Sequence, residues 1–414
     1  MNAKMLWKAW HGDETIELGF PDRWEIEVLR MNDAPTLGDA EIEAAFDRPI
    51  GTRPIEELVA GCKTVAITAD DITRPTKAER LLRPLLARLK RSGIAENDIT
   101  LIAALGAHRP MTRPEFVAKY GEDVVDSVLT MNHYPFDNLV DAGETMTGTA
   151  MVNRIFYEAD VKIGVGTVFP HGHSGFSGGA KIVLPGVAGI ETIRANHYSV
   201  SRGEGDTTGG IGVIDGNTTR LDMEAFARRI GLTAIVNAVV NSEREMAGVF
   251  VGDVVDAHRA AVDLARRTYA TPIPDRRYDV AILNAYPKDT ELIQSPNAFN
   301  AFGQGGESEI LNDGGTAVVM TASTEGRGLH YLYDRGMSLH TPAHEFPSHR
   351  ALFENYHTIV FSPNLSDRDL HEIYPPQTEL ARSWDEVVAR LSARYDAPSV
   401  AVFPFATMQF PAKD

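Results

Sequence analysis

The sequence predicts an α/β protein: two α/β domains with mainly parallel sheets and an active site in the cleft between them. Three observations lead to this prediction. The chain has 414 residues, more than a single hydrophobic core usually serves. Apolar runs of strand length alternate with longer segments of helical periodicity in both halves. A stiff polar segment, Thr-Pro-Ile-Pro-Asp at residues 271–275, separates the halves and is a candidate hinge.

In the first half, β-branched and apolar runs predict buried strands at residues 63–69, 98–105 and 160–166. Residues 77–91 predict an amphipathic helix, because their leucines recur at helical spacing on one stripe. Thr112 and Glu115 have the spacing of a capping box, with Pro114 inside the first turn, so a helix should begin there. Alternation of this kind predicts a doubly wound sheet in the first half.

A long helix predicted at residues 256–269 ends the first half. The second half repeats the pattern on a smaller scale, with a helix predicted at residues 384–395. Strands are predicted at residues 278–283, 316–321, 358–362 and 399–403. We therefore place an N-terminal cofactor-binding domain at residues 1–270 and a smaller domain at 276–414. An arrangement in which the final strand returns to the first domain stays open.

The composition of the chain argues against several classes of function. The net charge of −17 argues against a nucleic-acid partner, which needs an electropositive face. No apolar run approaches the roughly 20 residues that cross a bilayer, and the first residues lack the apolar core of a secretory signal. Cys62 is the one cysteine, which excludes an intrachain disulfide and a cysteine-based zinc site. We expect a cytoplasmic protein that acts on a small molecule and binds neither nucleic acid nor membrane.

Polar side chains follow the three predicted strands of the first half. Asp71 and Arg74 follow the first strand, His108 the second and His171 the third. Ligands of open parallel sheets bind beyond the carboxyl ends of the strands, so we expect one shared crevice. Arg74 has the planar fork that suits a carboxylate, and a histidine titrates near neutral pH. Taken singly, each residue is equally consistent with a helix-capping ion pair or a satisfied turn.

A glycine-rich turn at residues 175–179, Gly-Phe-Ser-Gly-Gly, is a candidate phosphate site with a helix beginning after it. It is not a Walker A loop, because Ile182 follows Lys181. Lys181 would place an amine beside a bound phosphate, for an ion pair or a covalent link. A solvated surface lysine is the alternative. His197 is either a metal ligand or a structural histidine.

His171 and His173 form an H-x-H pair that supports a competing hypothesis. If the pair lay on a strand, both rings would share a face and could hold zinc together with His197. That site would belong to a zinc-dependent hydrolase, although the sequence has no H-E-x-x-H motif. A third hypothesis is a non-catalytic nucleotide-binding protein, which would need only the glycine-rich turn, Lys181 and His197.

Four segments taken together identify a protein family more specifically than any one of them does alone. They read D-x-T-R-P from residue 71, A-H-R-x-x-T from 107, H-x-x-x-G-F-S-G-G-x-K-x-x-x-P-G from 171, and N-H at 196–197. In this order and spacing the chain resembles the lactate racemase family, whose members depend on a nickel-pincer nucleotide. The resemblance implies a racemase or epimerase that inverts C2 of a 2-hydroxy acid by reversible, proton-coupled hydride transfer.

The resemblance also assigns roles to residues of this sequence. It implies that Lys181 carries the cofactor covalently and that His197 is the protein ligand of nickel. His108 and His171 would be the paired acid–base groups, and Arg74 would hold the substrate. The remaining matched residues would contact the nucleotide: Asp71, Thr73, Gly175, Ser177, Gly178 and Gly179. The cofactor would be pyridinium-3,5-bisthiocarboxylate mononucleotide nickel. Separate biosynthetic enzymes must supply it, so protein made without them should lack it.

In the second half, the resemblance concerns residues that would contact the substrate. Gln294 matches a glutamine of the family site, whereas Asn297 stands where family members that act on lactate tend to carry lysine. Lys288 is a possible substitute for that charge. The substrate therefore stays open among lactate, malate, a longer aliphatic hydroxy acid and a sugar acid such as gluconate.

Overall fold

A computed structural model describes residues 2–202, 209–303, 310–340, 345 and 347–412. Its strands are β1 (Asn2–Trp7), β2 (Glu14–Gly19), β3 (Glu25–Val28), β4 (Val65–Asp70), β5 (Ile99–Ala104), β6 (Leu129–Asn132), β7 (Leu139–Glu144), β8 (Thr149–Asn153), β9 (Val161–Thr167), β10 (Pro170–His171), β11 (Gly175–Phe176), β12 (Ala234–Val240), β13 (Met246–Gly252), β14 (Ala270–Pro272), β15 (Tyr278–Asn284), β16 (Leu311–Met320), β17 (His357–Phe361), β18 (Glu379–Ala381), β19 (Ser399–Phe403) and β20 (Phe410–Ala412).

The helices are α1 (Asp39–Phe46), α2 (Ile55–Leu58), α3 (Glu79–Arg91), α4 (Arg113–Tyr120), α5 (Glu122–Ser127), α6 (Arg154–Glu158), α7 (Ile190–Arg202), α8 (Thr218–Arg229), α9 (Asp256–Tyr269), α10 (Pro347–Asn355), α11 (Asp367–Ile373) and α12 (Trp384–Arg394). Short 3-10 helices cover Glu96–Asp98, Gly179–Ile182 and Leu292–Phe302. None of these helices combines the length and the apolar character that crossing a bilayer requires.

The chain divides into two compact units. Residues 34–268 form one, called here the central unit, and residues 1–33 with 269–414 form the other, the terminal unit. Each unit is built on a six-stranded sheet. The chain therefore passes from the terminal unit into the central unit and back again.

The central sheet has the strand order β13-β12-β9-β4-β5-β6. All its pairs are parallel except β12 with β13. The strands predicted at residues 63–69, 98–105 and 160–166 are confirmed as β4, β5 and β9. Every residue of β4 and β9 is buried, so these strands are mostly apolar and show no alternation of buried and exposed positions.

Two predicted helices cover this sheet as expected. α3 buries the leucine stripe that predicted it. α4 begins directly after Thr112, whose backbone N–H donates to Glu115 Oε2 at 2.6 Å. The predicted capping box is therefore confirmed, since the glutamate satisfies a donor that the helix itself leaves unpaired.

The terminal sheet is entirely parallel in the order β18-β17-β16-β15-β19-β3. Its central strand β15 sends alternate side chains into two apolar layers: Val280 and Ile282 into one, Ala281 and Leu283 into the other. Period-two alternation with both faces buried is the pattern of a sheet covered on each side. The strands and the helix predicted for the second half are confirmed, as is the α/β class with mainly parallel sheets.

The domain boundaries differ from those predicted at residues 1–270 and 276–414. β3 pairs in parallel with β19, and Trp7 of β1 lies in the apolar layer of Ile282, so residues 1–33 belong to the terminal unit. The last core strand, β19, stays beside β15 and does not return to the central unit. Edge pairing with a strand far along the chain leaves no local signal in the sequence.

The segment at residues 271–275 also differs from the predicted linker. Its first residues continue β14, which pairs in parallel with β20. The side chain of Gln409 donates to Leu29 O at 2.8 Å and to Thr271 Oγ1 at 3.1 Å. These bonds fix the start of the segment inside the terminal unit, and the division between the units falls at residues 268–269.

Substitution of Trp7 tests the assignment of the N-terminal segment. Its side chain is 4% exposed and stacks on Phe361, with 5.7 Å between the ring centroids. Trp7→Ala should lower the free energy of unfolding by about 3–5 kcal/mol, because it leaves a cavity. Hydrogen exchange followed by mass spectrometry should show faster exchange in β15 and β17. Faster exchange in β4 and β9 instead would place the segment with the central unit. Leu129→Ala, at a side chain 62% exposed, is the control and should change stability by under about 0.5 kcal/mol.

Candidate active site

Three neighbouring strands of the central sheet end beside one another. β4 lies between β9 and β5, and the register aligns Asp70 with Ala104 and Ala69 with Val165. Because the pairs are parallel, the segments that follow these strands leave the same edge of the sheet. Those segments carry the residues predicted to share a crevice.

Asp71 and His108, from two of these segments, are in direct contact. His108 Nδ1 lies 2.5 Å from Asp71 Oδ2. The other carboxylate oxygen, Oδ1, accepts from the Thr73 backbone N–H at 3.0 Å and from Thr73 Oγ1 at 2.5 Å. Since an ionised carboxylate only accepts, the imidazole proton lies on Nδ1 and the lone pair on Nε2. His108 is thereby held in the form that can accept a proton at Nε2.

The electrostatics of this pair favour the same protonation state. Burial alone would raise the pKa of Asp71, but the charge and hydrogen bond of His108, together with Arg74 and Thr73, hold it well below its usual range. Burial lowers the pKa of His108, and the Asp71 carboxylate partly opposes this. His108 is therefore neutral at neutral pH beside a charged carboxylate.

Arg74 lies on a loop whose backbone is fixed by a buried ion pair. Arg74 Nη1 donates to Thr73 Oγ1 at 3.1 Å. Lys119 of α4 is fully buried, donates to Arg74 O at 2.9 Å and pairs with Asp70 Oδ1 at 2.8 Å. Sequence analysis missed Asp70 and Lys119. Asp70 stands next to Asp71 and could have been singled out, whereas Lys119 looks like any lysine of an amphipathic helix.

His171 lies at the end of a short hairpin. Its Nδ1 accepts from the backbone N–H groups of His173 and Ser174, at 3.2 and 3.3 Å. A ring nitrogen that accepts is unprotonated, so the proton of the neutral ring is on Nε2. The expectation that His171 and His173 share the face of a strand is wrong, because His173 lies in the turn between β10 and β11.

His197 is buried on α7. Its Nδ1 donates to Ile193 O at 2.9 Å, one helical turn earlier, which leaves the lone pair on Nε2. Burial lowers the pKa of His197 well below its usual value, and neighbouring His173 and Lys181 lower it further. The ring is therefore neutral and has the tautomer that a metal ligand needs.

The three histidines proposed for zinc lie near one another without forming a recognisable metal site. Ring centroids of His171 and His173 are 5.8 Å apart, and those of His173 and His197 are 5.7 Å apart. Within the described part of the chain, no three or more His, Cys, Asp or Glu side chains are grouped so that they could hold a metal ion. The zinc hypothesis therefore gains no support from the structure.

Lys181 is not the surface lysine that was the alternative. Its side chain is 9% exposed on the 3-10 turn Gly179–Ile182. Among the described residues it makes no hydrogen bond, and no carboxylate lies within ion-pair distance. Burial lowers the pKa of Lys181 well below its usual value, the charges of Arg74 and Arg220 lower it further, and Asp71 opposes them. The surroundings of the amine therefore favour its neutral form over the charged form.

The glycine-rich turn is shaped largely by close packing. A Cβ on Gly178 would lie 2.5 Å from Val168 Cγ2, one on Gly179 would lie 2.7 Å from His258 Cγ, and one on Gly175 would meet a backbone oxygen. All three glycines have positive φ. Ser177 Oγ donates to a backbone carbonyl at 2.6 Å. The helix expected after the turn is only a 3-10 turn of four residues.

Three backbone N–H groups of the turn already have acceptors. Phe176 N donates to Ser174 O, Ser177 N to Phe169 O and Gly179 N to Asn237 Oδ1, each at 2.8 Å. A phosphate would have to be bound through other groups, so the nucleotide contacts assigned to this turn stay predictions.

Buried polar residues that sequence analysis missed hold the turn in place. Arg220 is fully buried and donates to the carbonyl oxygens of Ser174, Phe176 and Gly178. His258 Nε2 lies 2.9 Å from Ser177 O. Both come from helices far along the chain and belong to no motif, so no sequence signal marks them.

Two of the residues predicted for the substrate, Gln294 and Asn297, lie in the terminal unit. Gln294 and Asn297 are on the 3-10 helix Leu292–Phe302, and Asn297 Nδ2 donates to Gln294 O at 2.7 Å. Lys288, named as a substitute for the missing lysine, is buried. Their contact with a substrate stays a prediction.

Comparisons with known proteins agree with the motif resemblance. Residues 11–209 match the family described as the lactate racemase N-terminal domain. A lactate racemase of Lactiplantibacillus plantarum is 30% identical over 387 residues, which cover 88% of each chain. A lactate racemase of Thermoanaerobacterium thermosaccharolyticum is 29% identical over 332 residues, covering 78% of this chain and 76% of that one.

Solved structures share the fold. The lactate racemase apoprotein from Thermoanaerobacterium thermosaccharolyticum superposes with a TM-score of 0.78 at 22% identity, covering both chains completely. A Thermotoga maritima protein superposes with a TM-score of 0.65 at 17% identity, covering 92% of this chain and all of that one. Since a relative is 30% identical over most of both chains, this chain belongs to the lactate racemase family and is an isomerase.

Proposed function

We propose that the protein inverts C2 of a 2-hydroxy acid by proton-coupled hydride transfer, with a nickel-pincer nucleotide attached covalently to Lys181. One observation carries the proposal. The Lys181 side chain is buried near Arg74 and Arg220, and within the described residues its amine has neither a hydrogen bond nor a carboxylate at ion-pair distance. A largely buried lysine beside two arginines is unusual for a purely structural residue, so its setting favours a chemical role.

The donor set fits the cofactor. A neutral lysine amine can form a covalent bond, which a solvated ammonium group forms poorly. His197 offers the Nε2 lone pair of a neutral imidazole, a donor that suits nickel. When bound, the nucleotide would supply the hydride acceptor that no side chain can provide.

His108 and His171 are proposed as the acid–base pair. Their hydrogen bonds leave complementary ring atoms, a lone pair on Nε2 of His108 and a proton on Nε2 of His171. His108 would accept the hydroxyl proton of one enantiomer, and His171 would return a proton to the oxygen after inversion. A pair of this kind also distinguishes an enzyme from a nucleotide-binding protein, which would not need it.

Arg74 is proposed to bind the substrate carboxylate. Its guanidinium is anchored at Thr73, and the fork geometry can hold a carboxylate through two parallel bonds. Gln294 and Asn297 are proposed as further substrate contacts. With asparagine at position 297, the substrate is proposed to be lactate, malate, another hydroxy acid or a sugar acid such as gluconate.

Two kinds of partner follow from this function. The substrate is a small 2-hydroxy acid. The cofactor must come from separate biosynthetic enzymes, because nothing in the proposed chemistry of this chain makes it. We propose the cytoplasm as the site of action, consistent with a single cysteine that forms no disulfide.

Loading of the cofactor tests the attachment site directly. After co-expression with the cofactor-synthesis enzymes, the wild-type protein should carry about one nickel and a mononucleotide adduct on the Lys181 peptide. Lys181→Ala should lose the adduct and stay folded, as measured by intact mass, metal analysis and circular dichroism. Lys162→Met is the matched control, since Lys162 is also buried but donates to Ala159 O at 2.7 Å. Full covalent loading of Lys181→Ala would refute the assignment.

Asp71→Asn tests the role of the Asp71–His108 pair. The carboxylate raises the pKa of His108 against the effect of burial, so its removal should lower that pKa further. Because the base acts when neutral, the acidic limb of kcat/KM should move to lower pH. The weaker, misoriented base should also reduce kcat by roughly 10²-fold. Asp126→Asn, at an exposed ion pair with Arg113, should leave the profile unchanged. An acidic limb that moved to higher pH would contradict the assigned role.

Asn297→Lys tests the basis of substrate choice. A lysine would add a positive charge and a longer side chain three residues after Gln294. Since lactate and gluconate both carry one carboxylate, the longer side chain should favour the smaller lactate. We expect the ratio of kcat/KM for lactate to that for gluconate to rise about tenfold, equivalent to about 1.4 kcal/mol. Both rates are measured on the loaded enzyme, with Asn312→Lys as the control at a half-buried asparagine elsewhere in the same unit. An unchanged ratio would remove position 297 from the substrate site.

A further inference from the structure

Every backbone carbonyl oxygen from residue 173 to 178 accepts a hydrogen bond, and this segment is called here the 173–178 turn. Asn217 Nδ2 donates to the first at 3.0 Å, Gly212 N to the third at 3.0 Å and His258 Nε2 to the fifth at 2.9 Å. Arg220 donates to the remaining three, those of Ser174, Phe176 and Gly178. One side chain therefore fixes half of the turn.

Arg220 is an unusual residue to bury. It lies in the first turn of α8, and its backbone N–H is capped by Asn217 Oδ1 at 3.0 Å. Among the described residues, no carboxylate lies at ion-pair distance from its guanidinium. The charge of Glu224 acts on Arg220, but the Glu224 carboxylate pairs with Arg259 at 2.8 Å. Carbonyl dipoles alone solvate the charge, and burial lowers the pKa of Arg220 to about 9. Burying a guanidinium without a carboxylate partner costs folding free energy, so packing alone does not explain why an arginine occupies this position.

Arg220 and the backbone of Lys181 are connected through one shared acceptor, the carbonyl oxygen of Gly178. Gly178 O accepts from Arg220 Nη1 at 2.9 Å and from the backbone N–H of Lys181 at 3.2 Å. Gly178 is also the residue before the 3-10 turn that carries Lys181. Arg220 thus sets the position from which the lysine side chain starts.

We propose that Arg220 is a positioning residue for cofactor attachment, which fixes the 173–178 turn and places a buried positive charge beside Lys181 so that its amine is held as a nucleophile. This inference rests on the proposed function of Lys181 and deepens it. Attachment is a condensation without oxidation or reduction. The lysine nitrogen bonds to the carbon of a protonated thiocarboxylate arm, and one amine hydrogen leaves with the hydroxyl of that arm as water.

The charges around Lys181 support this role. Burial lowers the pKa of Lys181 first, Arg74 and Arg220 lower it further, and Asp71 raises it. The charged or titratable groups coupled to the amine come from four segments: Arg74 and Asp71 after β4, His108 after β5, His197 on α7 and Arg220 on α8. Arg220 belongs to neither the substrate site nor the acid–base pair, so it can be changed without removing either.

Two substitutions separate the charge of Arg220 from its hydrogen bonds. Arg220→Gln keeps an amide donor and loses the charge, so the Lys181 amine should be protonated more often. Arg220→Lys keeps the charge but not the fork that reaches three carbonyl oxygens. Arg228→Gln is the matched control, since Arg228 lies on the same helix in a half-exposed pair with Asp253.

The experiment is trace acetylation of the full-length protein, expressed without the cofactor-synthesis enzymes, from pH 6 to pH 10 with peptide mass spectrometry of Lys181. In the wild type we expect Lys181 to react at lower pH than exposed lysines such as Lys90. Arg220→Gln should slow its labelling at pH 7 about tenfold, as expected from losing one nearby charge. Arg220→Lys should keep the pH profile and attach cofactor more slowly on co-expression.

A pH profile of Arg220→Gln equal to the wild type would overturn the inference. So would a wild-type Lys181 that titrates like Lys90, a result that needs no variant to fold. Because acetylation does not involve the cofactor, the experiment can contradict the role of Arg220 without contradicting cofactor attachment at Lys181, and the reverse. Wild-type protein that never carries an adduct, yet shows the labelling shift, would refute only the proposed function.

Discussion

The parallel pairing of β4 with both β5 and β9 is the constraint on which the site depends. It brings three chain segments to one edge of the central sheet, and those segments carry Asp71, His108 and His171. Parallel strands buried on both faces tolerate few polar groups, so polar residues concentrate where the strands end. The chemistry of the site is thus a consequence of the sheet register, because a shift of β5 against β4 would separate Asp71 from His108.

Burial at this edge makes each polar group depend on its neighbours. Asp70 is balanced by Lys119, Asp71 by His108, and the carbonyl oxygens of the glycine-rich turn by Arg220. Low polarity strengthens each of these bonds and also makes an unmatched group costly. The result is that both tautomers and the position of the lysine amine are determined before any ligand binds. Lys181 is the exception, because its amine has neither a hydrogen bond nor an ion pair among the described residues.

The sequence predicted what depends on local pattern and missed what depends on distant contacts. The strands and helices of both sheets follow from apolar periodicity, and the motif residues from Asp71 to His197 follow from fixed spacing. Arg220 and Lys119 carry no such pattern, because their partners are backbone carbonyls or a carboxylate 40 or more residues away. The zinc hypothesis required His171 and His173 to share a strand, and their two-residue spacing does not distinguish a strand from the tight turn in which His173 lies. The membership of residues 1–33 in the terminal unit rests on β3 pairing with β19, which periodicity does not reveal.

The pairing of β3 with β19 has a consequence for synthesis on the ribosome. The terminal sheet receives an edge strand from near residue 25 and its neighbour from near residue 400. The central unit, residues 34–268, is continuous and has all its strands once its last helix has emerged. The newly made N-terminal segment must therefore wait, with its apolar side chains unburied, until almost the whole chain has been translated. Contacts of such long sequence separation form slowly, so this segment is where a chaperone has most to protect.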